Sequence, residues 1–470
     1  MAKSFYWYDL ETSGTEPRWD RIVQFAGVRT SLDLEEIDEP YVVDVRLPDD
    51  VLPNPAATVV TGITPQRTHA DGVSEWQALA EVHKQFTVPG TCVVGYNNLR
   101  FDDEFVRFGF YRNLRDPYAR EWQNGNSRWD LIDLVRAQGA LRPDGVEWPH
   151  DEEGFPVYRL EALSAANGLD HGSAHDALSD VRATIQLARR LKTAQPKLWE
   201  YYLGCRYKKQ VRQVLEPYAT RVCVHVSGMY PKERYRVAPI LPIARHPVNS
   251  NSVIVADLGE DVEMLLHESE QTLKQNLFTA GAQERPPLKE VRVNRCPFVA
   301  ELSVLTEENC ERAQIDLSVV EKRARRLRQP SVLQRIANLY REPRNQKAAD
   351  VDAALYDGFL QDADRSRCQS FTASVAGGDW VSMDFADARL VTLAERLKAR
   401  SFADWMTDDE RADWHEFVQA KLTREGEVPW RTLTQFEGEI ETLREEGSQP
   451  AIVAALEAHA ADLKARYAGG

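Results

Sequence analysis

The chain opens on a strand that has to carry two carboxylates into a folded interior. Phe5-Tyr6-Trp7-Tyr8-Asp9-Leu10-Glu11 alternates and then breaks at Ser13-Gly14. Residues two apart on a strand point the same way, so Asp9 and Glu11 aim at one point. The apolar neighbours Phe5, Tyr6 and Leu10 imply a buried strand. Two like charges on a partly buried face repel and lose solvation. Divalent cations would neutralise them. An acidic but exposed strand face is the plainer reading of an Asp-x-Glu met alone, and the apolar flanks speak against it.

Two further motifs follow. Gly95-Tyr96-Asn97-Asn98-Leu99-Arg100-Phe101-Asp102 reads as a strand end running into a helix start. Acids at a helix start favour the macrodipole, which explains Asp103 and Glu104 well. For Asp102 that explanation is the weaker one beside Asp9 and Glu11. The third motif has two overlapping forms, His171/Asp176 and His175/Asp180, both His-x4-Asp. Ser173-x-x-Asp176 is a capping-box pattern and gives Asp176 a structural task. Asp180 has none and lies nearer the apolar stripe Leu178–Val181–Ile185, so His175 and Asp180 are the chosen pair. Neutral histidine suits a general base near pH 7, and it also suits a histidine satisfied at a helix N-terminus.

At 470 residues the chain is too long for one core. Strands are expected at 5–11, 22–30, 41–47 and 92–96, and helices at 75–86, 102–112, 130–138, 159–166 and 176–191. That order suggests an α/β domain with a mixed sheet over 1–193. Gln195-Pro196 marks a boundary. Over 220–300, short β-like runs (Arg221–Val226, Ser252–Asp257, Val291–Val293) alternate with Pro, Gly and Asn, which predicts a small β-barrel-like domain. An Arg-rich helical stretch over 316–340 completes a second domain at 196–346. Arg341–Asp350 reads as a linker, and 351–470 as an all-α domain.

No run approaches the roughly 18 apolar residues of a spanning helix, so no membrane partner is expected. The N-terminus has no apolar stretch of signal-peptide type. The six cysteines form no CxxC pair, which indicates neither a zinc site nor a disulfide framework and predicts a cytoplasmic protein. A net charge of −15 argues at first against nucleic acid. Basic clusters at Arg206–Arg212 and Lys322–Arg328 weaken that argument. Residues 100–136 also interleave Arg107, Tyr118, Trp122 and Arg136, the cationic and aromatic mixture that grips single strands. Arg159 could hold a phosphate bidentately. Core aromatics and a solvated arginine face explain the same residues about equally well.

Taken together and in order, the three motifs resemble those of the DEDD exonucleases, whose fold is a ribonuclease-H-like sheet. Histidine in the third marks the DEDDh subgroup. The segments Asn126–Leu131, His225-Val-Ser-Gly-Met229 and Leu355–Arg365 extend the resemblance to the bacterial exodeoxyribonuclease I family. It implies an exonuclease domain, an SH3-like barrel domain and a helical C-terminal domain clamped around single-stranded DNA. It also implies processive, Mg2+-dependent 3′→5′ release of nucleoside 5′-monophosphates in DNA repair and recombination. The two ions, for which Mn2+ can substitute, fall to Asp9, Glu11, Asp102 and Asp180, with His175 and Asp102 in catalytic roles. The strand falls to Glu11, Arg107, Tyr118, Trp122, Arg136 and Arg159. The implied partner is single-stranded DNA-binding protein, whose acidic tail would meet Arg142 and Tyr201, and a monomer suffices for the clamp. A related exoribonuclease is one alternative, against which the roughly 280 residues beyond the nuclease domain argue. A DNA-docking protein on an inactive nuclease fold is another, against which the intact acids argue.

Overall fold

The computed structural model describes residues 2–169, 176–342 and 347–468. The chain forms two compact units, one from Met1–Ser127, Gly172–Arg182 and Asn345–Gly470, the other from Arg128–His171 and Ala183–Arg344. In the first unit, β1 (Ser4–Thr12) lies between β2 (Ile22–Thr30) and β4 (Thr91–Gly95), and β3 (Tyr41–Asp44) flanks β2. β1 runs antiparallel to β2 and parallel to β4, so the sheet is mixed, as the sequence predicts.

The central strand is buried on both faces, which is why its sequence is almost continuously apolar. Tyr6, Tyr8 and Leu10 face one core with α1 (Glu75–Thr87) and α2 (Asp102–Arg112), meeting Phe86, Phe105 and Phe110. Asp9 and Glu11 belong to the opposite face. There Trp7 is fully buried and its indole N–H donates to Thr30 Oγ1 at 2.9 Å. Two short helices, Pro55–Thr61 and Pro65–Asp71, went unpredicted. Each starts on a proline and is capped, by Asn54 and Thr64 respectively.

After residue 350 the described residues form helices only, chiefly Asp362–Ala376, Ala388–Ser401, Asp408–Leu422, Leu433–Glu445 and Pro450–Tyr467. They share cores with the N-terminal segment. Leu355, Phe371, Leu390 and Leu393 pack with Trp76, Phe108 and Tyr111, and Phe436 and Leu456 with Leu52. A buried ionic lattice runs through the same unit. Asp50 takes Arg400 at 2.6 Å and Lys421 at 2.8 Å, and Asp352 takes Arg21 at 2.9 Å and Arg400 at 2.6 Å. Such a lattice adds little net stability, but removing one partner strands the others in a dry interior.

The second unit contains five antiparallel strands. Phe298–Glu301 pairs with Cys223–Val226, followed in space by Val237–Arg245, Ser252–Asp257 and Leu288–Arg292. Val237–Arg245 escaped prediction because it carries Pro239 and Pro242, which cannot donate to a ladder. The structure absorbs them with a register shift between Pro242 and Ala244. The expected Arg-rich helix is Leu317–Leu327, capped by Asp316 and followed by Pro330–Asn338.

Candidate active site

Asp9 and Glu11 stand at the C-terminal end of β1, where a register shift between Glu11 and Thr12 ends the ladder. The chain then turns sharply. A Cβ on Gly14 would lie 2.3 Å from an Asp20 carboxylate oxygen, so the turn closes only with glycine. A second close approach brings in Asp102. A Cβ on Gly95 would lie 2.9 Å from the Tyr8 carbonyl oxygen, and Asn97 adopts a left-handed φ of 63°. The link from β4 to α2 is thereby drawn in beside Asp9, and Asp102, the first residue of α2, is buried.

The fourth acid arrives on α3 (Ala177–Ala194). Gln24, opposite Glu11 in the β1–β2 register, accepts from the Ala177 N–H at 3.3 Å through Oε1 and donates to Asp44 through Nε2 at 2.9 Å. This seats the start of α3 against the sheet. Asp176 accepts from the Ser179 N–H at 3.1 Å and its hydroxyl at 3.0 Å, so its carboxylate is used as a helix cap. Asp180, one turn on, joins the site. Carboxylate oxygens of Asp9, Glu11 and Asp180 lie within 4.8 Å of one another.

Burial raises the Asp9 carboxyl well above the usual range, and the charges of Asp102, Asp180 and Glu11 raise it further. Burial, with Asp180, Asp102 and Asp176, pushes Glu11 up to about 8. Four acids held this way suit a divalent cation, and an all-oxygen donor set suits hard ions such as Mg2+ and Mn2+. His175 and His171 lie outside the described residues.

The expected strand contacts differ in setting. Trp122 is 66% exposed. Tyr118 is half-buried, with the Arg107 guanidinium 5.5 Å above its ring. Both line a 450 Å3 cavity with Phe359, which is 85% exposed. Arg107 itself is buried and paired with Asp103, Glu104 and Glu121. In the second unit, Arg159 is exposed. Arg136 bonds Asp133 at 2.7 Å, in space that a side chain at Gly228 would crowd. Arg142 donates to the Val304 carbonyl at 2.9 Å and Asn309 Oδ1 at 3.1 Å, and Tyr201 donates to the Val299 carbonyl at 2.6 Å.

Sequence reasoning passed over Asp103, taken for a helix-start acid. It is fully buried and paired to Arg120. The role of Gln24 was also missed; its one signal is a polar residue amid the apolar run of β2.

A mixed sheet whose central strand ends among converging acids is the framework of a ribonuclease-H-like exonuclease, and the family model described as Exonuclease matches residues 6–188. Those described as Exonuclease I SH3-like domain and Exonuclease I C-terminal domain match 206–342 and 349–463. The chain belongs to the exodeoxyribonuclease I family. It is 39% identical to exodeoxyribonuclease I of Haemophilus influenzae over 453 residues, 94% of each chain. Exonuclease I of Escherichia coli in complex with a dA16 oligonucleotide is 37% identical over 98% of this chain and 100% of that one, with a TM-score of 0.93. A zinc-bound form of the same enzyme's complex with single-stranded DNA gives the same identity and coverage, with a TM-score of 0.92. A structure of SSB/Exonuclease I in complex with the inhibitor CFAM is 36% identical over 98% and 100% of the two chains, with a TM-score of 0.89. Among the described residues, no helix is long and apolar enough to cross a membrane.

Proposed function

We propose that this chain is a divalent-metal-dependent 3′→5′ exonuclease that degrades single-stranded DNA to nucleoside 5′-monophosphates. The convergence of Asp9, Glu11 and Asp180, with Asp102 beside them, carries the reading. Asp9, Glu11, Asp102 and Asp180 would hold two Mg2+ ions, for which Mn2+ can substitute, and when bound these would lower the pKa of the attacking water and stabilise charge on the leaving 3′ oxygen. His175 accepts the water's proton. Glu11 also faces the strand, Tyr118 and Trp122 stack on bases, and Arg107, Arg136 and Arg159 meet phosphates. A division into domains at 1–193, 196–346 and 351–470 is supported by the three matched family models. Family membership supports processive action in DNA repair and recombination, and a monomer suffices. Six scattered cysteines with no CxxC pair support a reducing, cytoplasmic setting. The matched SH3-like and C-terminal domains weigh against a single-domain exoribonuclease. With Mg2+, single-stranded DNA should be digested well ahead of RNA of the same sequence; preferred digestion of RNA would overturn the substrate.

The partner is single-stranded DNA-binding protein, whose acidic, apolar-ended tail docks at Arg142 and Tyr201. The family and the SSB complex of its relative support this. Both side chains also hydrogen-bond within the second unit, so docking has to use their remaining donors or neighbouring basic residues. Arg142→Glu should weaken binding of the isolated tail peptide while digestion of short naked strands continues. Equal loss of both would assign Arg142 to the DNA path.

A further inference from the structure

The turn that carries Tyr118 and Trp122 is tied to the helix that presents Asp102. Arg120, in the single turn Ala119–Glu121, donates through Nη2 to Asp103 Oδ1 at 2.5 Å, and neither side chain has any exposed surface. The guanidinium is held 5.1 Å from the Phe86 ring centre and 5.9 Å from that of Phe110. Arg107 reaches the same Asp103 at 3.6 Å and joins Glu104 at 2.9 Å to Glu121 at 2.8 Å. The Asp103 N–H donates to the Asn98 carbonyl at 2.9 Å, which closes the link from β4. Tyr356 adds a tether, donating to Glu104 while its ring meets Phe108 edge-on. Phe86, which the Arg120 guanidinium overlies, also meets edge-on at 5.1 Å the ring of Tyr8, the residue before Asp9. The pair therefore sits against the acid-bearing end of β1.

We propose that Arg120 and Asp103 are positioning residues for the nuclease site. Their ion pair fixes the first turn of α2 against the strand-gripping turn, so that Asp102 is held where the metal needs it. This rests on the reading of Asp9, Glu11, Asp102 and Asp180 as metal ligands. A buried ion pair is a poor source of stability, since apolar residues of similar volume do as well or better. What a planar guanidinium seated between the Phe86 and Phe110 rings supplies is direction. One residue from Asp102, direction sets how that carboxylate points.

The test uses the full-length chain in three variants: Asp103→Leu/Arg120→Met, Arg120→Lys and Asp102→Asn. Melting temperature, Mn2+ binding by calorimetry without DNA, and kcat and KM on single-stranded DNA are measured for each. The double variant should melt close to the parent yet lose about 10-fold in Mn2+ affinity and ~10- to 100-fold in kcat, the usual effect of outer-shell loss. KM for the strand should change less than kcat. Arg120→Lys, which keeps the charge without the planar group that meets Phe86 and Phe110, should recover part of both losses. A folded double variant with parental Mn2+ affinity and kcat would overturn the proposal, as would a lowered melting temperature with both parameters unchanged. If the double variant does not fold, Arg120→Lys decides, and parental affinity and kcat there overturn it. Asp102→Asn separates the two levels. Parental behaviour of that variant means the metal-site reading has failed. Its collapse beside normal Arg120 variants means only the positioning role has.

Discussion

Replacing Glu11 with glutamine should stabilise the metal-free protein. In the fold, burial and the charges of Asp180, Asp102 and Asp176 move the Glu11 carboxyl from 4.5 to about 8. Between those values the folded chain keeps a proton that the unfolded chain has released. Stability therefore falls as pH rises across that window, and it is fully present below the unfolded value. Each unit is worth about 1.36 kcal/mol, so by about pH 7.5 the cost approaches ~4 kcal/mol. For a unit of a few hundred residues that corresponds to roughly 10 °C in Tm. In EDTA, Glu11→Gln should melt above the parent by up to that amount near neutral pH, and the gap should close towards about pH 4.5. Added Mg2+ should reverse the order, raising the parent's Tm more than the variant's, because ligand binding to the folded state alone stabilises it. Thermal unfolding followed by fluorescence across pH, with EDTA and with Mg2+, reads all of this. A gap independent of pH, or a parent whose metal-free stability rises through the window, would refute the reasoning.

Three other outcomes follow. Asp9→Ala or Asp180→Ala should lower turnover at least ~10³-fold with DNA binding retained, since charge stabilisation is usually the largest catalytic contribution; steady-state rates and a binding titration check both. His175→Ala should lose ~10²-fold and regain part at high pH, while His171→Ala stays nearly silent in the same pH–rate series. Asp352→Ala leaves Arg21 and Arg400 buried beside a missing partner. It should cost about 3–5 kcal/mol by denaturant unfolding.

The carboxylates of β1 were legible because a two-residue period and apolar neighbours leave a strand few ways to lie. Asp102 was legible from its place where a strand gives way to a helix, and Asp180 because Asp176 already had a capping task. Asp103 was not. Its partner Arg120 stands 17 residues on, and no local pattern encodes that pairing. The pairing of Arg107 with three carboxylates was equally hidden, because an arginine among aromatics looks the same in sequence whatever charges surround it. The C-terminal helices could be read as helices, but an amphipathic pattern shows that a face is apolar and not what covers it. Their packing on Leu52, Trp76 and Phe108 needed the structure.

The most direct test of the account follows the ends of a single strand. Oligonucleotides labelled at the 3′ or the 5′ end are digested with Mg2+ and with EDTA, and the products are separated. The 3′ label should leave at once as a nucleoside 5′-monophosphate. The 5′ label should stay on the shortening strand to the end, and EDTA or Asp180→Ala should stop both. Early release of the 5′ label, or mononucleotide release that continues in EDTA, would contradict a metal-dependent 3′→5′ exonuclease built on Asp9, Glu11, Asp102 and Asp180.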